Sequence, residues 1–161
     1  MSEHPFSKHV FPPCYVPQIL TIYKVPIKKC TDFVYMKPNQ NVDSSYSCVF
    51  IASEKFREIW KDRVQVDSPP FFRGMLYTET EALWPLDRKI LSGNMDVVFS
   101  YGINNPVPAS IVDIFSNSEL HLTDGITRIL YLLLNKAEAF PIMCPNKYVN
   151  DLLAIAGIEN F

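Results

Sequence analysis

The stretch LHLTDGITRILYLLLNKAEAFPI, residues 120–142, decides how the fold is read. It opens in strand-like alternation, because ELHLT (119–123) carries leucines at every second position. Asp124-Gly125 then breaks the run. From Gly125 to Lys136 the apolar residues are Ile126, Ile129, Leu130, Tyr131 and Leu132 to Leu134. That density is too high for a surface helix, so it predicts a largely buried one. AFPIMC (139–144) reads as the next strand. The predicted order is strand, turn, helix, strand.

A strand–Asp-Gly–helix joint leaves unbonded backbone N–H groups at the positive end of a helix. Gly125 allows a ligand to approach the backbone closely. Asp124 can cap the helix, and Thr127 lies in its first turn. Arg128, one turn in, can bring a guanidinium fork to the same point. Together these describe a phosphate or other anion site. A plain Asp N-cap followed by an exposed arginine has the same spacing, and spacing alone does not separate the two.

Outward from this stretch the chain reads as one 161-residue domain. Its first 70 residues are strand-rich and proline-broken; residues 71–161 hold the core. Pro5, Pro12, Pro13, Pro17, Pro26 and Pro38 favour extended chain. ILTIYKV (19–25) and DFVYM (32–36) read as strands, and CVFIA (48–52) as a short buried strand. Ser53 is placed to cap a helix, EKFREIWKD, with Phe56, Ile59 and Trp60 on one face. Residues 66–74 read as a loop. DVVFSYG (96–102) reads as a strand. PASIVDIF (108–115) and ELHLT flank an SNS hairpin turn. NKYVNDLLAIAGI reads as a closing helix stopped by Gly157.

Apolar residues make up 48% of the chain and charged residues 20%, an ordinary globular balance. The net charge of −2 argues against binding nucleic acid by bulk attraction. No apolar run is long enough for a membrane helix, and no leader-like segment opens the chain, so a cytoplasmic protein is expected. Cys14, Cys30, Cys48 and Cys144 show no metal-ligand spacing and read as reduced thiols.

Read as one unit, Asp124-Gly125-x-x-Arg128, the following helix and Phe140-Pro141-Ile142 resemble the signature of the ParB/sulfiredoxin-like superfamily. The second half further resembles plasmid fertility-inhibition factors of the oncogenic-suppression type. The phrases that carry this are WPLDRKILSGNMDVVFSYG (84–102), LTDGITR, AEAFPI and LLAIAGI. The resemblance implies an α/β (α+β) fold: a small mixed sheet or incomplete barrel with surrounding helices. It implies a nucleotide or phosphodiester pocket at the Asp-Gly-x-x-Arg turn. It also implies ATP hydrolysis and DNA cleavage in a bacterial donor cell, directed against DNA transfer through a type IV secretion system. Two positions depart from the superfamily pattern. Ile126 stands where sulfiredoxins carry their catalytic cysteine, so no thiolate can attack from there. Thr127 replaces a common basic residue, which removes one cation from the phosphate site and weakens a small-molecule kinase reading. The helix-turn-helix and dimerisation segments of the partition proteins are also missing.

On this reading Arg128 holds phosphate oxygens and stabilises developing charge, while the amides of Gly125, Ile126 and Thr127 cradle the same phosphate. Asp124 would orient Arg128, position water or share Mg²⁺. Arg88 and Lys89 form the second cationic pair, for nucleotide and DNA alike. Glu79, Glu81 and Asp87 are further acidic candidates, with Glu81 and Asp87 favoured for general-base work; a solvated strand edge is the plainer account of each. His121 alternates with Leu120 and Leu122 and reads as a partly exposed strand histidine that can reach the pocket. Asn94, Tyr101, Asn104 and Asn105 offer a base or ribose site, with a turn as the plainer role of Asn104-Asn105. Two functions follow. One is a nucleotide-dependent DNase and ATPase, binding DNA weakly and without sequence preference. The other is a non-catalytic nucleotide-binding inhibitor that contacts the conjugation coupling machinery.

Overall fold

The computed structural model describes residues 8–11, 20–28, 31–66, 92–115 and 119–158. Strands are β1 (Lys8–Phe11), β2 (Leu20–Ile27), β3 (Asp32–Lys37), β4 (Tyr46–Ala52), β5 (Val64–Val66), β6 (Val107–Pro108), β7 (Ser110–Phe115), β8 (Glu119–Asp124) and β9 (Ala139–Pro145). Helices are α1 (Ser53–Arg63), α2 (Asn94–Ser100), α3 (Ile126–Leu134) and α4 (Val149–Ala156). The strands form two mixed sheets. The first has the order β1-β2-β3-β6, and the second β4-β9-β7-β8-β5. The fold is therefore α+β, with two small mixed sheets and four helices among the described residues.

Strand β9 lies inside its sheet, between β4 and β7, and is buried along its whole length. It runs antiparallel to β4 and parallel to β7, which explains the unbroken apolar AFPIMCP. Helix α3 follows β8 as the opening stretch predicts, with Ile129 to Leu133 all buried. One core joins Val25, Ile27 and Met36 of the first sheet, Ile129 to Leu133 of α3, and Leu120, Leu122 and Ile142 of the second. Burying one such aliphatic side chain contributes about 1.5–3 kcal/mol. Pro26 pairs with Phe33 of β3, and among the described residues β1 covers only Leu20 to Tyr23 of β2.

Several expectations are corrected. Residues 96–102 are not a strand: α2 covers Asn94–Ser100 and a 3-10 turn follows at Gly102–Asn104. The apolar period there is four, since Met95 and Phe99 are buried while Val97 and Val98 are exposed. Phe99 stacks on Tyr131 of α3, with ring centroids 4.4 Å apart and planes 6° from parallel. PASIVDIF is not one strand; it divides at Ala109, with β6 in the first sheet and β7 in the second. β7 and β8 do pair antiparallel, from Phe115↔Glu119 inward. Strand β4 is half-buried apart from Ile51. Ser53 does not cap α1 from outside. It is buried within the first turn, with no hydrogen-bond partner for its hydroxyl among the described residues. Gly157 does end α4, in extended rather than left-handed backbone, by donating its N–H to Leu153 O. Cys48 and Cys144 form no disulfide among the described residues, and burial pushes the Cys144 thiol up to about 12. Cys14 and Cys30 lie outside the residues whose side chains are described.

Candidate anion-binding site

The chain passes from the first sheet to the second through Val107-Pro108-Ala109-Ser110. Ala109 N–H still bonds to the first sheet, at Lys37 O, 2.8 Å. At such a joint carbonyls leave the ladder and need other partners. Side chains supply them. Arg128 Nη1 donates to Pro108 O at 2.7 Å, and Asn39 Nδ2 donates to Ala109 O at 2.9 Å. Ser110 Oγ donates to Gly125 O at 2.8 Å, holding the β8–α3 turn against the joint.

Gly125 adopts φ 88°, ψ 29°, the left-handed region. A Cβ there would collide with Ser110 Oγ, and would stand 2.7 Å from Ser110 Cβ and 2.8 Å from Arg128 Nη2. Glycine is needed for the turn's backbone and for the approach of the arginine.

Asp124 does not cap α3, which corrects the expectation. No side chain caps this helix among the described residues, and its first intrahelical bond runs from Ile129 N to Gly125 O. Asp124 Oδ2 instead accepts Arg128 Nη2 at 2.7 Å and lies 3.5 Å from Asn39 Nδ2. Among the described residues, the N–H groups of Ile126, Thr127 and Arg128 have no side-chain partner. These three residues line a cleft of about 450 Å³ together with Met95 and Val98 of α2 and with Val107 and Pro108. That volume lies within the range of small-ligand sites.

Arg128 is largely covered, with its side chain 16% exposed, while that of Asp124 is 48% exposed. Two guanidinium N–H groups are engaged by Asp124 and Pro108. Among the described residues its remaining N–H donors have no hydrogen-bond partner. The cleft thus joins an orientated guanidinium, open helix amides and an apolar wall, a combination suited to a phosphorylated ligand. Helix α2 is fastened in place by the Phe99–Tyr131 stack. Burial, then Asp96, pushes the Tyr131 hydroxyl up to about 12.

The other candidates fall elsewhere. His121 is half-buried on the face of β8 opposite Leu120 and Leu122, in register with Asp113, and does not line the cleft. Asn94, Tyr101, Asn104 and Asn105 are exposed and do not line it either; Asn104 ends the 3-10 turn. Glu79, Glu81, Asp87, Arg88 and Lys89 lie outside the described residues. Among the described residues Asp124 is the one carboxylate in the cleft, and no cluster of three metal-ligating side chains occurs. One carboxylate committed to an arginine is not by itself a Mg²⁺ site. Sequence reading missed Asn39, Pro108, Ser110, Met95 and Val98. Asn39 carries no local signal, since its partner Asp124 is 85 positions away.

A family model described as plasmid fertility inhibition factor matches residues 48–157. The chain belongs to that family. All five residues from Asp124 to Arg128 fall inside the matched segment, whereas Asn39 precedes it. Among solved structures, the fold is similar to a crystal structure of an oncogenic suppression activity protein, a plasmid fertility inhibition factor, in its gold(I) cyanide derivative. The TM-score is 0.70 at 21% identity, over 95% of this chain and 76% of that one. At that identity the likeness establishes the fold. No curated protein gave a significant match. No helix among the described residues is long and apolar enough to cross a membrane.

Proposed function

We propose that this fertility inhibition factor acts as an enzyme, hydrolysing ATP and cleaving DNA at the Asp124–Arg128 turn. It would act in the bacterial cytoplasm and thereby block plasmid transfer through a type IV secretion system. One observation carries the reading: the uncapped amides of α3 and the Arg128 guanidinium border one cleft of nucleotide size. Water would attack the phosphorus, and the bond from phosphorus to the leaving oxygen would break. Arg128 and the Ile126 and Thr127 amides would hold the oxygens on which charge builds. Mg²⁺, if used, would supply charge neutralisation at the phosphates. Asp124 would share it only together with further carboxylates, for which Glu79, Glu81 and Asp87 are the candidates.

The test is incubation of pure protein with labelled ATP and with single- and double-stranded DNA, with and without Mg²⁺, beside Arg128→Ala. Loss of turnover in a folded variant, together with loss of inhibition in a mating assay, is the expected result. The second reading, inhibition by contact with the coupling machinery, has one observation in its favour: Arg128 already holds Asp124 and Pro108 as part of the frame. A folded Arg128→Ala protein that still suppresses transfer would establish that reading instead.

A further inference from the structure

We propose that Asn39 is a positioning residue for the Asp124–Arg128 pair; the inference rests on the enzymatic reading above. Asn39 follows β3 and is 4% exposed, one of few buried polar side chains among the described residues. All of its amide is used. Its Oδ1 accepts Asn41 N–H at 2.9 Å, and its Nδ2 reaches Ala109 O at 2.9 Å and Asp124 Oδ2 at 3.5 Å. A buried amide with both ends engaged is a rigid part. It ties the first sheet to the joint that also offers Pro108 O to Arg128.

The consequence for Asp124 is chemical. Arg128 Nη2 and Asn39 Nδ2 both address Oδ2. Oδ1 has no hydrogen bond among the described residues, so it is the oxygen left to position water or a cation in the cleft. Arg128 alone would allow the carboxylate to turn and exchange its two oxygens. Asn39, brought in at the end of β3, selects one. Groups that hold a reacting side chain in this way commonly govern activity by about 10–100-fold without touching the substrate.

The experiment compares ATP turnover by the full chain in wild type, Asn39→Ala, Asn39→Asp and Arg128→Ala, with folding checked by circular dichroism. Asn39→Ala should lower kcat about 10–100-fold and change KM less than about threefold, because the phosphate-holding groups stay. Asn39→Asp keeps the shape but replaces a donor with a carboxylate facing Asp124. It should lower kcat at least as far as Asn39→Ala, again with little change in KM. A merely structural asparagine gives no such split between kcat and KM. Where both Asn39 variants unfold, the wild-type Asn39 side-chain amide is followed by NMR instead. Slow proton exchange and a shift on adding ATP support the role; a fast-exchanging amide insensitive to ATP overturns it. Wild-type kcat in both folded Asn39 variants, beside an inactive Arg128→Ala, overturns the inference and leaves the enzymatic reading standing. Full turnover in Arg128→Ala, or none in wild type, overturns that reading and the inference with it.

Discussion

At the residue scale the site depends on one arginine and one glycine. Arg128 offers a planar fork, two of whose N–H groups are fixed by Asp124 and Pro108. Arg128→Ala should weaken ATP binding by about 1.5–3 kcal/mol, the size of a lost charged hydrogen-bond set. Arg128→Lys should lose much of the same, because an ammonium cannot reach Asp124, Pro108 O and a phosphate in one geometry. Isothermal calorimetry decides this, and equal affinity in all three proteins would sink the site. Gly125→Ala is predicted to act on both fold and site. The left-handed backbone costs about 1–3 kcal/mol for a residue with a Cβ. The new methyl would also push against Ser110 and Arg128 Nη2. A lowered unfolding midpoint in urea together with weaker ATP binding is expected; an unchanged midpoint would contradict the geometry.

At the element scale, α2 forms a wall of the cleft because it is fastened to α3. The Phe99–Tyr131 stack makes that attachment. Tyr131 ionises at about 10 when exposed and is pushed up to about 12 in the fold, first by burial. Its neutral form is thus the one the fold favours. The stability it contributes is full below pH 10 and is lost as pH rises toward 12. Burial gives Cys144 the same sign, from an ordinary 9.0 to about 12, so alkaline loss should begin near pH 9. Urea titrations at stepped pH should show the decline, and Tyr131→Phe should make it shallower above pH 10. An identical alkaline profile in Tyr131→Phe would place the cause elsewhere. The same helix explains a misread segment. DVVFSY has the β-branched composition of a strand, yet Met95 and Phe99, four apart, are the residues that find the core.

At the scale of the whole molecule, the net charge of −2 leaves no bulk attraction for DNA. Under the proposed function, binding would rest on a few cations: Arg128, with Arg88 and Lys89, outside the described residues, as the further candidates. Each phosphate contact contributes about −0.7 to −0.9 to the slope of log K against log salt. A shallow slope of only a few units, with little sequence preference, is predicted. Arg88→Ala/Lys89→Ala should flatten it further. Fluorescence anisotropy over a salt series checks this; tight binding that persists in high salt would place the DNA surface elsewhere.

The strand–turn–helix–strand unit of residues 119–142 could be read directly because its signals are local. Alternation, an Asp-Gly break and a dense apolar run each lie within one turn or a few residues of one another. The same holds for the antiparallel β7–β8 pair and for the glycine that ends α4. Asp124 shows where local reading stops. Its position before a helix marks it as a cap, but Arg128 one turn later and Asn39, brought in by the first sheet, compete for the same carboxylate and take it. The division of PASIVDIF between two sheets has a similar cause, since its composition is continuous and only the pairing of Val107 with Met36 and Ser110 with Ile142 separates its halves. Side-chain periodicity records which residues leave water. It holds no record of which distant partner satisfies a carboxylate or a carbonyl at a joint, and those choices belong to the packed sheets.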